Sequence, residues 1–115
     1  MNAVSQPQRY LINVEQYHKM GAAGVFPEDA RVELIEGELL TMGPMGTPHY
    51  WAVATLNRAI MESPLGRCVF LLPQLPIVLS EITEPQPDLM LARLPAEKYR
   101  AAKATAEDIV LLIEV

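Results

Sequence analysis

The chain has 115 residues, half of them hydrophobic and a fifth charged, which is enough for one core and too little for two. Nine basic against 14 acidic residues give a formal net charge of −5, which counts against a nucleic-acid partner held by a broad basic face. No apolar run reaches the ~20 residues of a membrane span, the first residues lack the basic and apolar regions of a secretory signal, and the single Cys68 cannot form an internal disulfide. The expectation is one cytoplasmic domain over residues 1–115, with no membrane contact and with residues 1–9 disordered.

In chain order, Asn13-Val14-Glu15-Gln16 predicts a helix start. Asn13 is the N-cap and Gln16 stands where a capping box reaches back. That helix runs through Tyr17 and Met20 and fails at Gly21 or Gly24. Arg31–Ile35 and Glu38–Met42 flank Glu36-Gly37, and glycine's access to positive φ predicts a β-hairpin. Thr47-Pro48 then predicts an N-cap and a first-turn proline. Val53, Leu56 and Ile60 follow at helical spacing, so that one face of a helix ending at Glu62 turns inward.

Three strands are predicted next, over 68–72, 75–79 and 88–92, the second bracketed by Pro73 and Pro76 and therefore an edge or irregular strand. Residues 95–103 read as a short surface helix or a mobile crossover. The nearly all-apolar run 109–115 predicts a central strand covered on both faces. The met residues Met42, Met45 and Met61 are read as core filling. This order gives an α+β sheet protein with helices packed against the sheet.

Chemistry concentrates at two acids. Asp88 opens one apolar strand and Glu114 closes another, 26 residues later. If those strands are antiparallel neighbours, the two carboxylates meet at one sheet edge, where they repel unless a cation lies between them. A hard divalent ion with oxygen ligands suits such a pair. The competing interpretation is a turn aspartate and a solvated glutamate. His18 has no constellation around it and is assigned no chemistry.

The segments Arg31–Glu38, His49, Glu84-Pro85-Gln86-Pro87-Asp88-Leu89 and Ala106–Val115 together make the chain resemble the restriction-endonuclease-like group of the PD-(D/E)XK nuclease superfamily over roughly residues 10 to 115. The resemblance implies a restriction-endonuclease-like core, a mixed β-sheet flanked by helices. It implies a metal-dependent DNA endonuclease with Mg²⁺ or Mn²⁺ held by Asp88 and Glu114. Glu33 is implied as a third acid, with an exposed strand glutamate as its alternative. His49 is implied as a phosphate-side or acid/base residue, with a local helix-start role as its alternative. The superfamily's lysine falls two positions after the glutamate, or in the narrower group on a following helix. The sequence stops at Val115, and Lys19, Lys98 and Lys103 sit in no substituting motif. The expectation is therefore a C-terminally incomplete and inactive or nearly inactive chain. Two other functions stay open: a non-catalytic domain that self-associates through an exposed strand or sheet face, or binds a partner, and a hydrolase of small phosphoesters.

Overall fold

A computed structural model of the chain describes residues 6–115. The disorder expected at residues 1–5 lies outside the described residues. Residues 6–9 are exposed and irregular, and the Arg9 guanidinium pairs with Glu38.

Helix α1 (Val14–Ala22) starts with the predicted capping box: Gln16 N–H donates to Asn13 Oδ1 at 2.8 Å, and Asn13 N–H donates to Gln16 Oε1 at 2.9 Å. Strands β1 (Arg31–Ile35) and β2 (Glu38–Met42) pair antiparallel, with Ile35 opposite Glu38. Their two-residue turn has φ +50° at Glu36 and +80° at Gly37, both positive as a type I′ turn requires. Gly37 is also fixed by crowding, because a Cβ there would lie 2.7 Å from Leu11 Cβ.

Helix α2 (Thr47–Glu62) begins one residue earlier than expected: Gly46 is the N-cap, and Thr47 and Pro48 are its first helical positions. Val53 and Ile60 are half-buried, but Leu56, expected on the inward face, is exposed, and no residue of α2 is fully buried.

Strands β3 (Val69–Pro73), β4 (Leu89–Arg93) and β5 (Ile109–Ile113) form a second antiparallel sheet with β4 in the middle. The α+β class holds. The expected mixed sheet is realised as two antiparallel sheets, and parallel pairing among the described residues is confined to an isolated bridge, Val78 to Thr105. The strand predicted at 75–79 does not form. Its prolines break the ladder, leaving single bridges and bonds such as Ile77 N–H to Pro85 O at 3.0 Å.

The central, doubly covered strand is β4 rather than 109–115. Leu89, Met90, Leu91 and Ala92 are all buried, because β3 and β5 flank β4 and its two faces both meet other chain segments. β5 lies at the sheet edge with Val110, Leu111 and Leu112 exposed, and a register shift puts Leu111 opposite Leu91 and Ile109 opposite Ala92. One face of β4 builds the core cluster of Leu72, Ile77, Met90 and Ala92, against which Phe70, Tyr99, Ala104 and Ile109 pack.

The segment 84–88 joins the two sheets. Glu84 N–H donates to Leu34 O at 2.7 Å, alongside β1, and the chain then passes through buried Pro87 into β4.

Candidate functional site

The β4–β5 register decides where the acids fall. Leu89 lies opposite Ile113, so Asp88, just before β4, and Glu114, just after β5, are brought to the same sheet edge. The contact is reciprocal. Asp88 N–H donates to Glu114 Oε1 at 3.1 Å, and Val115 N–H donates to Asp88 Oδ2 at 2.8 Å. His49, in the first turn of α2, places Nε2 3.0 Å from the other oxygen of Asp88, Oδ1. Asp88 is only 4 % exposed, so these partners offset most of the cost of enclosing its charge.

Glu33 enters from the middle of β1 and is 6 % exposed, which corrects its alternative as an exposed strand glutamate. The cause is the crossing of segment 84–88 over β1, whose Gln86 N–H donates to Glu33 Oε1. The consequence is visible on Glu114. Desolvation raises its carboxyl pKa above the usual range, the negative charges of Asp88 and Glu33 push the same way, and the Asp88 amide and Arg31 oppose them. Glu114 is exposed over much of its own surface, and its inner oxygen is the part held against buried Asp88.

Glu33, Asp88, Glu114 and His49 thus gather at one place, drawn from β1, the two ends of the β4–β5 pair, and α2. The donor set fits a hard divalent ion in kind, since carboxylate oxygens keep further lone pairs after accepting one hydrogen bond. Among the described residues, however, no three His, Cys, Asp or Glu side chains already stand as a metal cage. Backbone amides and His49 hold the oxygens instead. Lysine is also absent from this edge: Lys19 pairs with Glu15 at 3.2 Å, Lys98 pairs with Asp108, and Lys103 lines a hollow beside Tyr17 and Glu84.

One pair escaped the sequence reading. His18 Nε2 lies 2.6 Å from Glu84 Oε1, and Glu84 is 5 % exposed. Neighbouring Tyr17 donates its hydroxyl to Val32 O at 2.7 Å. Burial, then the charges of Glu84 and Glu33, raise the Tyr17 pKa. The chain's two histidines therefore grip the two ends of one proline-rich segment, His18 at Glu84 and His49 at Asp88. The available signal was that both acids stand beside a proline in a segment that must be extended.

Comparison with known proteins adds one finding. The family model named Uma2 and described as "Putative restriction endonuclease" matches residues 14–115. No curated protein and no solved structure gives a significant match.

Proposed function

We propose, from the premise that the chain belongs to the Uma2 family of restriction-endonuclease-like proteins, that this domain binds a divalent metal and hydrolyses DNA phosphodiesters. The supporting observation is the meeting of Asp88 and Glu114 across the β4–β5 edge, with Glu33 and His49 beside them. An acid cluster in a chain of net charge −5 repels a phosphodiester. A cation is therefore the simplest way to make this edge receptive to one.

Asp88 and Glu114 would hold Mg²⁺ or Mn²⁺, and Glu33 would add a third carboxylate. Such an ion, when bound, polarises a phosphoryl oxygen and acidifies a water. Asp88 orients its own ligand set: its amide fixes Glu114 and its carboxylate is fixed by Val115 N–H. His49 Nε2, already at Asp88 Oδ1, can carry a proton to or from that oxygen or meet a substrate phosphate oxygen. With every lysine of the described chain engaged or placed elsewhere, none is at hand to activate the attacking water. Cleavage by this 115-residue polypeptide is expected to be slow.

The test combines plasmid nicking with thermal melts in Mg²⁺, Mn²⁺ or EDTA, for the wild type and Asp88→Ala. Saturating Mn²⁺ is expected to stabilise the wild type, by about 2.7 kcal/mol at a hundredfold excess over Kd. Asp88→Ala is expected to abolish both the shift and any metal-dependent nicking. A wild type that neither nicks DNA nor gains stability from either ion removes this reading.

A non-catalytic, self-associating domain is the second reading. Its supporting observation is the exposed apolar edge at β5.

A further inference from the structure

Beside the acid cluster stands a cation without a partner. Arg31 opens β1 two residues before Glu33, so alternation places the two side chains on the same face of the strand. It is half-buried, yet among the described residues it forms no ion pair and no side-chain hydrogen bond. The acids next to it make no contact with it: Glu33 and Glu114 each turn one oxygen to a backbone amide, of Gln86 and Asp88, and Asp88 is held by His49 and Val115 N–H. Its charge is nevertheless felt at Glu114. No unpartnered side-chain nitrogen is sealed from solvent among the described residues, so the Arg31 donors are open to water and free to meet an incoming anion.

The space for that ligand is present. Arg31, Met42, His49 and the loop Gly43-Pro44-Met45-Gly46 line an open cavity of about 160 Å³. The first turn of α2 forms one wall and carries no acidic residue that would repel an anion. His49 faces both ways, lining this cavity while touching Asp88. Planar Arg with its fork of donors matches the oxygens of a phosphate group, and with Nε2 engaged at Asp88 the His49 ring adds Nδ1–H as a further donor in its protonated form.

We propose that the cavity between Arg31, the Gly43–Gly46 loop and His49 is a phosphate subsite. It takes one phosphate group, with Arg31 as the fork and His49 as the bridge to the acid edge. The proposal rests on the preceding reading only for the carrier of that phosphate, a nucleic-acid backbone. Free phosphate shares the chemistry and is the other source.

The full 115-residue chain in EDTA is titrated with inorganic phosphate and, separately, with a short single-stranded oligodeoxynucleotide, following the heat of binding and the Arg31 Nε–Hε resonance. Saturable binding of both is expected, with the Arg31 resonance shifting. Arg31→Gln is expected to weaken each ligand about tenfold or more, and Arg31→Lys to recover part of the loss. An unshifted Arg31 resonance at saturating phosphate overturns the subsite even if the variants fail to fold. Unchanged affinity in folded Arg31→Gln overturns it as well. Phosphate binding without oligonucleotide binding supports the subsite and overturns its nucleic-acid carrier. Because metal is absent throughout, loss of phosphate binding tells against Arg31, whereas failure of the Mn²⁺ melts tells against Asp88 and Glu114.

Discussion

Carboxylates are rarely enclosed without partners, and here Glu33, Glu84, Asp88 and Asp108 are all nearly buried. Each has a specific donor, from the Gln86 amide, His18, His49 with Val115 N–H, and Lys98 respectively. Glu114 is the member of the site with a net penalty, since burial and two like charges outweigh the Asp88 amide and Arg31. A raised carboxyl pKa means the folded state binds a proton more readily than the unfolded chain. Stability from this group is then complete below the ordinary value of 4.5 and declines as pH rises through the folded value. Glu114→Gln keeps an acceptor for the Asp88 amide and removes the charge. Thermal melts are expected to place this variant above the wild type near neutral pH. The gap should close toward about pH 4, and the Mn²⁺-induced stabilisation should fall. A Gln variant that melts below the wild type near neutrality would mean that the charge is already compensated.

Elements whose cause is local could be read in advance, and those whose cause is remote could not. The α1 capping box and the Glu36-Gly37 turn depend on residues within four positions of one another, and both form as predicted. The Asp88–Glu114 meeting followed from one assumption, antiparallel pairing, which the register satisfies. The His18–Glu84 pair spans 66 positions, and the burial of Glu33 depends on an amide 53 positions away, so the sequence around neither acid names its partner. The run 109–115 was misplaced for a related reason. Apolar content describes what a strand can tolerate, and the sheet order decided that β4, not β5, is central. Among the contacts that tie the crossover between those strands is Lys98 Nζ to Asp108, with Thr105 N–H donating to the other Asp108 oxygen at 2.8 Å. The Lys98 hydrogen bond, then the Thr105 amide, hold the Asp108 carboxyl below its usual range. A depressed pKa contributes stability above the unfolded value of 3.8, and that stability is lost as pH falls through the folded value. Asp108→Asn is therefore expected to lower the urea midpoint near neutral pH, with the difference shrinking only on acidification below 3.8. A difference that is constant with pH would assign the effect to packing rather than charge.

At the scale of the whole molecule the fold is extended. The radius of gyration is 17.4 Å, where about 13 Å is usual for this length, and the extents are 66 × 33 × 27 Å. The core is correspondingly thin, and α2 buries no residue completely. The same geometry leaves β5 with Val110, Leu111 and Leu112 exposed on the edge strand of its sheet. An unpaired apolar edge offers both backbone donors and side-chain surface to another strand, and a second copy of this chain carries the same edge. Pairing of that kind would cover apolar area that the monomer leaves in water and would make folding concentration-dependent. Sedimentation velocity at several loadings is expected to show a rising weight-average mass, and the melting temperature is expected to rise with protein concentration. Leu111→Lys places a charge on the edge at a residue already 48 % exposed, so it should cost the monomer little while suppressing association. A wild type that sediments as a monomer at every loading contradicts the edge-pairing reading, as does a Leu111→Lys variant with an unchanged profile. The association and metal readings also separate cleanly, because Leu111 lies along the strand and Asp88 and Glu114 lie at its end. Leu111→Lys is expected to retain the Mn²⁺ shift, and Asp88→Ala to retain the association.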